Sequence, residues 1–171
     1  MTPQQLARQL VALRDPMFRY ARTLLLRQDE AEDAVSDVIE RLVADPTRWA
    51  ACSNLRALAM TAVRNRCLDL LRQREAGMRR AAQLAVWAER ATRGEHERWE
   101  AREVVRRAMA ELPERLREVL HLKEIEGFAT REIAELLVTE EAQVRVWLSR
   151  ARCRMRQAVE QIMKERRTIE R

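Results

Sequence analysis

Residues 130–163, TREIAELLVTEEAQVRVWLSRARCRMRQAVEQIM, decide the fold. Thr130 to Leu137 reads as a short helix that offers Ile133, Ala134 and Leu137 to a core, and a longer helical pattern runs from about Glu141 to Met163. Two helices separated by so brief a turn have the outline of a helix-turn-helix. The second helix also carries charge of one sign: from Ala142 to Val159 it holds Arg145, Arg150, Arg152, Arg154 and Arg156 and no acidic residue. Guanidinium groups pair with phosphates and can take O6 and N7 of guanine bidentately in the major groove. On charge alone a solvated basic helix is an equal reading, and the helix-turn-helix outline shifts the balance towards DNA.

Working outward towards the N-terminus, Pro113 suits the first turn of a helix that Gly127 can end, and Glu97 to Glu111 looks helical. Residues 75–94 are rich in Arg and Ala, contain Trp87 and close on Thr92-Arg93-Gly94, which reads as a linker. Before it, Asn54 can cap a helix whose Leu55, Leu58, Ala59, Ala62 and Val63 face inward. Arg56, Arg64, Asn65, Arg66, Asp69, Arg72 and Arg74 are mostly left outside, so this helix is expected to be basic on its open side. Asp45-Pro46-Thr47 breaks the preceding pattern, because proline disfavours the helical conformation of the residue before it, and a loop through Trp49, Cys52 and Ser53 follows.

The cleanest periodicity lies upstream of that break, with Ala31, Ala34, Val35, Val38, Ile39 and Leu42 on one face. Asp29 is the predicted N-cap, with Glu32 completing a capping box. The other face carries Asp33, Asp37 and Glu40. Such an acidic stripe cannot face DNA without repulsion, so it points at a basic protein surface or simply at water. Met17, Phe18, Ala21, Leu24 and Leu25 form one more helical stripe.

The chain has 171 residues, 47% of them hydrophobic and 35% charged, with only 3 Gly and 4 Pro. Helices suit that composition and many-stranded folds do not, so the predicted class is all-α. Two small helical domains are expected, at 1–74 and 95–171, joined by the linker at 75–94. A net charge of +6 favours a phosphate-bearing partner weakly. No apolar run approaches the roughly 20 residues that cross a bilayer, and the N-terminus lacks a signal-peptide pattern, so a cytoplasmic protein without membrane insertion is expected. Cys52, Cys67 and Cys153 lie far apart, and His96 and His121 stand alone in the sequence, so neither disulfides nor a metal site are expected. Gly-rich phosphate loops, HExxH, GxSxG and Cys–His pairs are lacking, so no enzyme and no cofactor are expected.

Asn54 to Arg72, NLRALAMTAVRNRCLDLLR, resembles the segment that reads the minus-ten element in extracytoplasmic-function sigma factors of the sigma-70 family. EDAVSDVIERL, Glu32 to Leu42, resembles that family's helix for core RNA polymerase, and Leu112 to Arg152 is similar to its minus-thirty-five-binding domain. The resemblance implies a protein that directs promoter-specific transcription initiation. It implies that Asp33, Asp37 and Glu40 grip a basic coiled coil on the polymerase clamp, and that Asn65, with Arg56, Arg64, Arg66, Asp69 and Arg72 around it, meets the melted promoter strand. It further implies that Arg145, Ser149, Arg150 and Arg152 meet the minus-thirty-five duplex. An anti-sigma protein that covers both faces is the expected inhibitor.

Val138 stands where the family usually has glycine in the turn, and a β-branched residue resists positive φ, so the turn is expected to be built differently. Val146 and Trp147 replace usually polar positions, with Trp147 expected to pack into a core. Two other readings stay open: an autonomous helix-turn-helix regulator, and a sigma-like adaptor that binds polymerase without initiating.

Overall fold

The computed structural model describes residues 3–25, 27–45, 52, 54–78 and 96–169. Most of the expected linker, including Trp87 and Gly94, lies outside the described residues, as do Trp49 and Ser53. Seven α-helices are described: α1 (Pro3–Leu24), α2 (Gln28–Ala44), α3 (Leu55–Met78), α4 (His96–Glu111), α5 (Glu114–Leu120), α6 (Thr130–Leu137) and α7 (Glu141–Ile169). A π-helical turn, His121–Ile125, continues α5. No strand occurs among the described residues, and the fold is all-α, as predicted.

The first three helices form one unit. α1 begins well before Met17, because Leu6 and Leu10 extend its buried stripe to Met17, Tyr20, Ala21 and Leu24. Pro16 sits inside α1 and withholds one backbone donor from it. α2 buries Ala31, Ala34, Val35, Val38 and Leu42, the expected face, with Ile39 packed against them. Its start differs from expectation. Arg27 is the N-cap and Asp29 lies in the first turn, where Arg27 grips its carboxylate and keeps it from capping. Asn54 does cap α3, its Oδ1 accepting from the Ala57 N–H at 3.0 Å.

The C-terminal helices form the second unit. Val104 and Ala108 of α4 pack on Ala158 and Ile162 of α7, and Leu112, Leu116 and Leu120 pack on Ala151. Gly127, at φ +70°, ends the π-helical turn, and the Phe128 N–H then bonds back to the Leu122 carbonyl at 2.9 Å. Trp147 is half-buried against the core, with the Arg115 guanidinium 5.3 Å from its ring centre.

The turn between α6 and α7 overturns the expectation for Val138. It does not avoid the left-handed region; it occupies it, at φ 53°, ψ 57°. The Thr139 N–H reaches the Ala134 carbonyl at 2.9 Å and the Val138 N–H reaches Glu135 at 3.3 Å, the two bonds of a Schellman motif. Val144 and Leu148 of α7 are anchored in the core beyond the turn, so packing on both sides imposes the conformation that a valine resists.

Both units contribute to a single apolar cluster. Met17, Tyr20 and Val63 of the first unit are continuous with Val119, Leu122, Phe128 and Ile133 of the second. Polar and charged side chains are enclosed at the seam. Glu118, His121 and Glu126 are each no more than 5% exposed. Glu126 receives both Arg19 nitrogens, Nε at 3.0 Å and Nη2 at 3.1 Å, and lies 3.3 Å from His121 Nε2. Burial pushes its carboxyl up, but the close approach of His121 and the hydrogen bonds and charge of Arg19 outweigh that and hold it below the ordinary value.

Two outcomes are expected. Val138 is 89% exposed, so Val138→Gly loses no packing while relieving left-handed strain, and it should stabilise the chain by about 1 kcal/mol in urea unfolding; a loss of stability would contradict the assigned turn. Because the Glu126 carboxyl is depressed in the folded chain, its contribution is complete above its unfolded value of about 4.3 and is lost as pH falls through the lower folded value. Urea midpoints should therefore drop in acid, and Glu126→Gln should flatten that acid limb; an unchanged limb would refute the assignment.

Candidate functional site

On α2 the acidic residues divide. Asp33 and Glu40 are exposed, whereas Asp37 is bound by Arg66 of α3, with Nη2 at 2.6 Å and Nε at 2.9 Å. Asp37 thus joins α2 to α3, and the outward acidic surface consists of Asp33 and Glu40, with Glu32 beside them.

The expected basic open face of α3 is not what the structure has. With about 100° per residue, Asn65, Asp69 and Arg72 share the outer face, opposite the buried Ala59, Met60, Val63 and Cys67. That face is electrically balanced, because Arg72 Nη1 binds Asp69 Oδ1 at 3.0 Å. The remaining arginines lie on the flanks and turn to partners within the chain. Arg66 turns to α2. Arg74 binds Glu30. Arg64, only 12% exposed, binds Glu118 Oε1 through Nε at 2.9 Å. Arg56 lies over the Phe128 ring, 4.4 Å from its centre, and donates to the Glu126 backbone carbonyl.

Glu118 is the hub of this arrangement. Besides Arg64 it accepts the Tyr20 hydroxyl at 2.8 Å and Arg115 Nη1 at 2.9 Å. Burial, followed by the Glu118 charge and hydrogen bond, raises the Tyr20 phenol well above its ordinary value, so it remains a donor. Burial likewise pushes the Cys67 thiol up to about 12, which leaves it inert at neutral pH. Cys52 and Cys153 are also free thiols.

The helix-turn-helix presents a different balance. Arg145, Ser149, Arg152 and Arg156 fall on one exposed stripe of α7 at i, i+4, i+7 and i+11. Arg150 is exposed too but projects about 140° from Arg145 around the helix axis. Arg145 pairs with Glu141 one turn back, and Arg152 Nη2 pairs with Glu124 at 2.7 Å. All four of these side chains are at least 40% exposed, and ion pairs of that kind contribute about 0–1 kcal/mol, so phosphate can replace either carboxylate cheaply. Arg156, counted in the basic run but not among the expected DNA contacts, completes the stripe; its spacing from Arg145 was the available signal. Glu118 and Glu126 were missed as well; the signal for Glu118 was a glutamate set among Leu116, Val119 and Leu120, and Glu126, beside Ile125 and Gly127, had none.

Among the described residues no cluster of His, Cys, Asp and Glu could hold a metal ion, and no helix is long and apolar enough to cross a membrane. The arrangement suits charge-based docking of macromolecules.

The family described as Sigma-70, region 4 matches residues 102–155, and the Sigma2 domain of PhyR matches residues 6–62. No curated protein matches the chain. Among solved structures, the sigma factor RpoE in complex with the anti-sigma factor NepR from Bartonella quintana superposes with a TM-score of 0.74 at 22% identity, covering 90% of this chain and 95% of that one. CnrH in complex with the cytosolic domain of CnrY gives 0.64 at 20% identity, covering 93% and 90%. PhyRSL in the PhyRSL–NepR complex from Sphingomonas sp. Fr1 gives 0.63 at 19% identity, again covering 93% and 90%. Two ordered family matches, an acidic α2 ahead of a helix-turn-helix and this shared architecture lead to one conclusion: residues 102–155 belong to the family of sigma-70 region 4, behind a unit similar to the Sigma2 domain of PhyR, and the chain shares the two-domain fold of the sigma factor RpoE.

Proposed function

We propose that the chain directs promoter-specific initiation by bacterial RNA polymerase. In this reading residues 1–74 form the unit for core polymerase and the minus-ten element, 75–94 the linker, and 95–171 the unit for the minus-thirty-five element. Asp33 and Glu40 meet the basic clamp coiled coil, with Asp37 holding α2 in register against α3. The observation that carries the reading is the exposed stripe of Arg145, Ser149, Arg152 and Arg156 directly after a helix-turn-helix turn. Phosphate contacts from such a stripe supply affinity, and contacts to base edges supply choice.

The anti-sigma partner is supported by the structural neighbours: RpoE and CnrH were each solved with a bound partner, and PhyRSL with NepR. A protein of this kind would cover α2 and the α7 stripe together, which accounts for inhibition without any change in the fold.

A second reading, a sigma-like adaptor that binds protein but does not initiate, is favoured by one observation. The first unit matches the Sigma2 domain of PhyR, and Arg56 and Arg64 are occupied by the chain's own second unit.

Run-off transcription with purified core enzyme separates the two. The sigma reading expects promoter-dependent transcripts, and it expects the double variant Asp33→Arg/Glu40→Arg to lose core association. Asp37→Arg is the poorer probe, because it would set two arginines against each other. A chain that binds core and yields no transcript from any template would overturn the initiation reading in favour of the adaptor. For the second unit, Arg156→Ala or Arg152→Ala should weaken duplex binding and lower the salt-dependence slope by about 1, with Arg150→Ala having less effect. Equal effects at all three positions would contradict the stripe.

A further inference from the structure

The outward crest of α7 carries no charge over its first half. Ala142, Val146, Ser149 and Cys153 follow one another at i, i+4, i+7 and i+11, and all four are exposed. The crest stands opposite the core: Val146 lies roughly 160° around the helix axis from both Val144 and Leu148, which are buried. Arg145, Arg152 and Arg156 run along one side of it. A helix laid in the major groove with those arginines against one phosphate wall turns this uncharged crest towards the base edges.

One exposed valine on a helix is ordinary. Val146 is set apart by its place. It sits in the second turn of α7, and the N-terminal residues of a helix that follows such a turn are the ones that reach base edges. At 42% exposure it keeps apolar surface in water that the core does not use. In the major groove the base edges offer donors, acceptors and one apolar group, the C5 methyl of thymine. A valine neither donates nor accepts, so against any other edge it strips water from a polar group and returns no hydrogen bond. Against thymine it gains a methyl contact. Ala142, one turn earlier on the crest, likewise brings no polar side-chain atom that would compete for the same place.

We propose that Val146 is a specificity-determining residue, whose methyl groups pack on the C5 methyl of a thymine in the duplex that the second unit binds. The inference rests on α7 being a DNA-binding helix, and it names the base feature which that helix selects. The arginine stripe holds the helix on the backbone, and choice at this position comes from an apolar contact rather than from a hydrogen bond.

Deoxyuridine differs from thymidine only in lacking that methyl, so it removes the contact and leaves the hydrogen-bonding edge unchanged. A pool of randomised duplexes is enriched by the full chain, alone and with core RNA polymerase, against core enzyme as the blank. The enriched duplex is then remade with deoxyuridine at one thymine at a time. Wild type should lose about fourfold in affinity at one position, the effect of one buried methyl group. Val146→Thr and Val146→Ser both bring a hydroxyl and differ by a single methyl. Val146→Thr should keep that loss, and Val146→Ser should bind the thymine and deoxyuridine duplexes alike, with urea midpoints close to wild type because the position is exposed. Arg152→Ala should weaken both duplexes equally, as a phosphate contact does. Indifference of wild type to deoxyuridine at every thymine overturns the proposal and leaves the DNA-binding reading of α7 standing, and so does a loss that persists in full in Val146→Ser. A pool that the chain enriches neither alone nor with core enzyme overturns that reading, and the proposal with it.

Discussion

A buried carboxylate, that of Glu118, imposes the arrangement of everything around it. An ionised carboxylate withdrawn from water costs several kcal/mol unless its oxygens are matched by donors in good geometry. Here the donors come from three helices: the Tyr20 hydroxyl from α1, Arg64 from α3 and Arg115 from α5. Those helices can satisfy Glu118 together in only one relative position. Glu126 repeats the arrangement with Arg19, Arg56 and His121. The apolar cluster that runs through the seam supplies most of the driving force for burial, and the charges decide which face meets which.

The same division between enclosed and exposed pairs organises the functional surfaces. Arg66–Asp37 and Arg64–Glu118 are partly or wholly shielded and fix helices against each other, whereas Arg145–Glu141 and Arg152–Glu124 lie in solvent and are easily exchanged. Arginines of α7 can move from carboxylate to phosphate with little change in free energy. Arg56 and Arg64 of α3 cannot do so until the seam parts. The two elements proposed to meet DNA are thus held in different states of readiness by burial.

Much of the fold was legible from periodicity. The boundaries of α6, the inward faces of α2 and α3, the Asn54 cap and the roles of Pro113 and Gly127 follow from local rules, and local rules operate whether or not the rest of the chain is known. What was not legible depended on distant partners. Nothing within α3 distinguishes an arginine facing solvent from one facing Glu118, 54 residues away. Val138 looked incompatible with a glycine-type turn because the cost of a left-handed valine is local, while the packing of Val144 and Leu148 that imposes it is tertiary. Asp29 failed as a cap for a nearer reason: Arg27, two residues away, claims its carboxylate. Of the candidate site, the α7 stripe and the exposed half of the α2 acids were readable; the engagement of α3 was not.

A shared core and a shared set of buried charges require the two helical units to unfold as one. Calorimetric unfolding of the free full-length chain at neutral pH tests that most directly. One transition, with calorimetric and van't Hoff enthalpies in agreement, is the outcome that a common core demands; two resolved transitions, one for each unit, would contradict it.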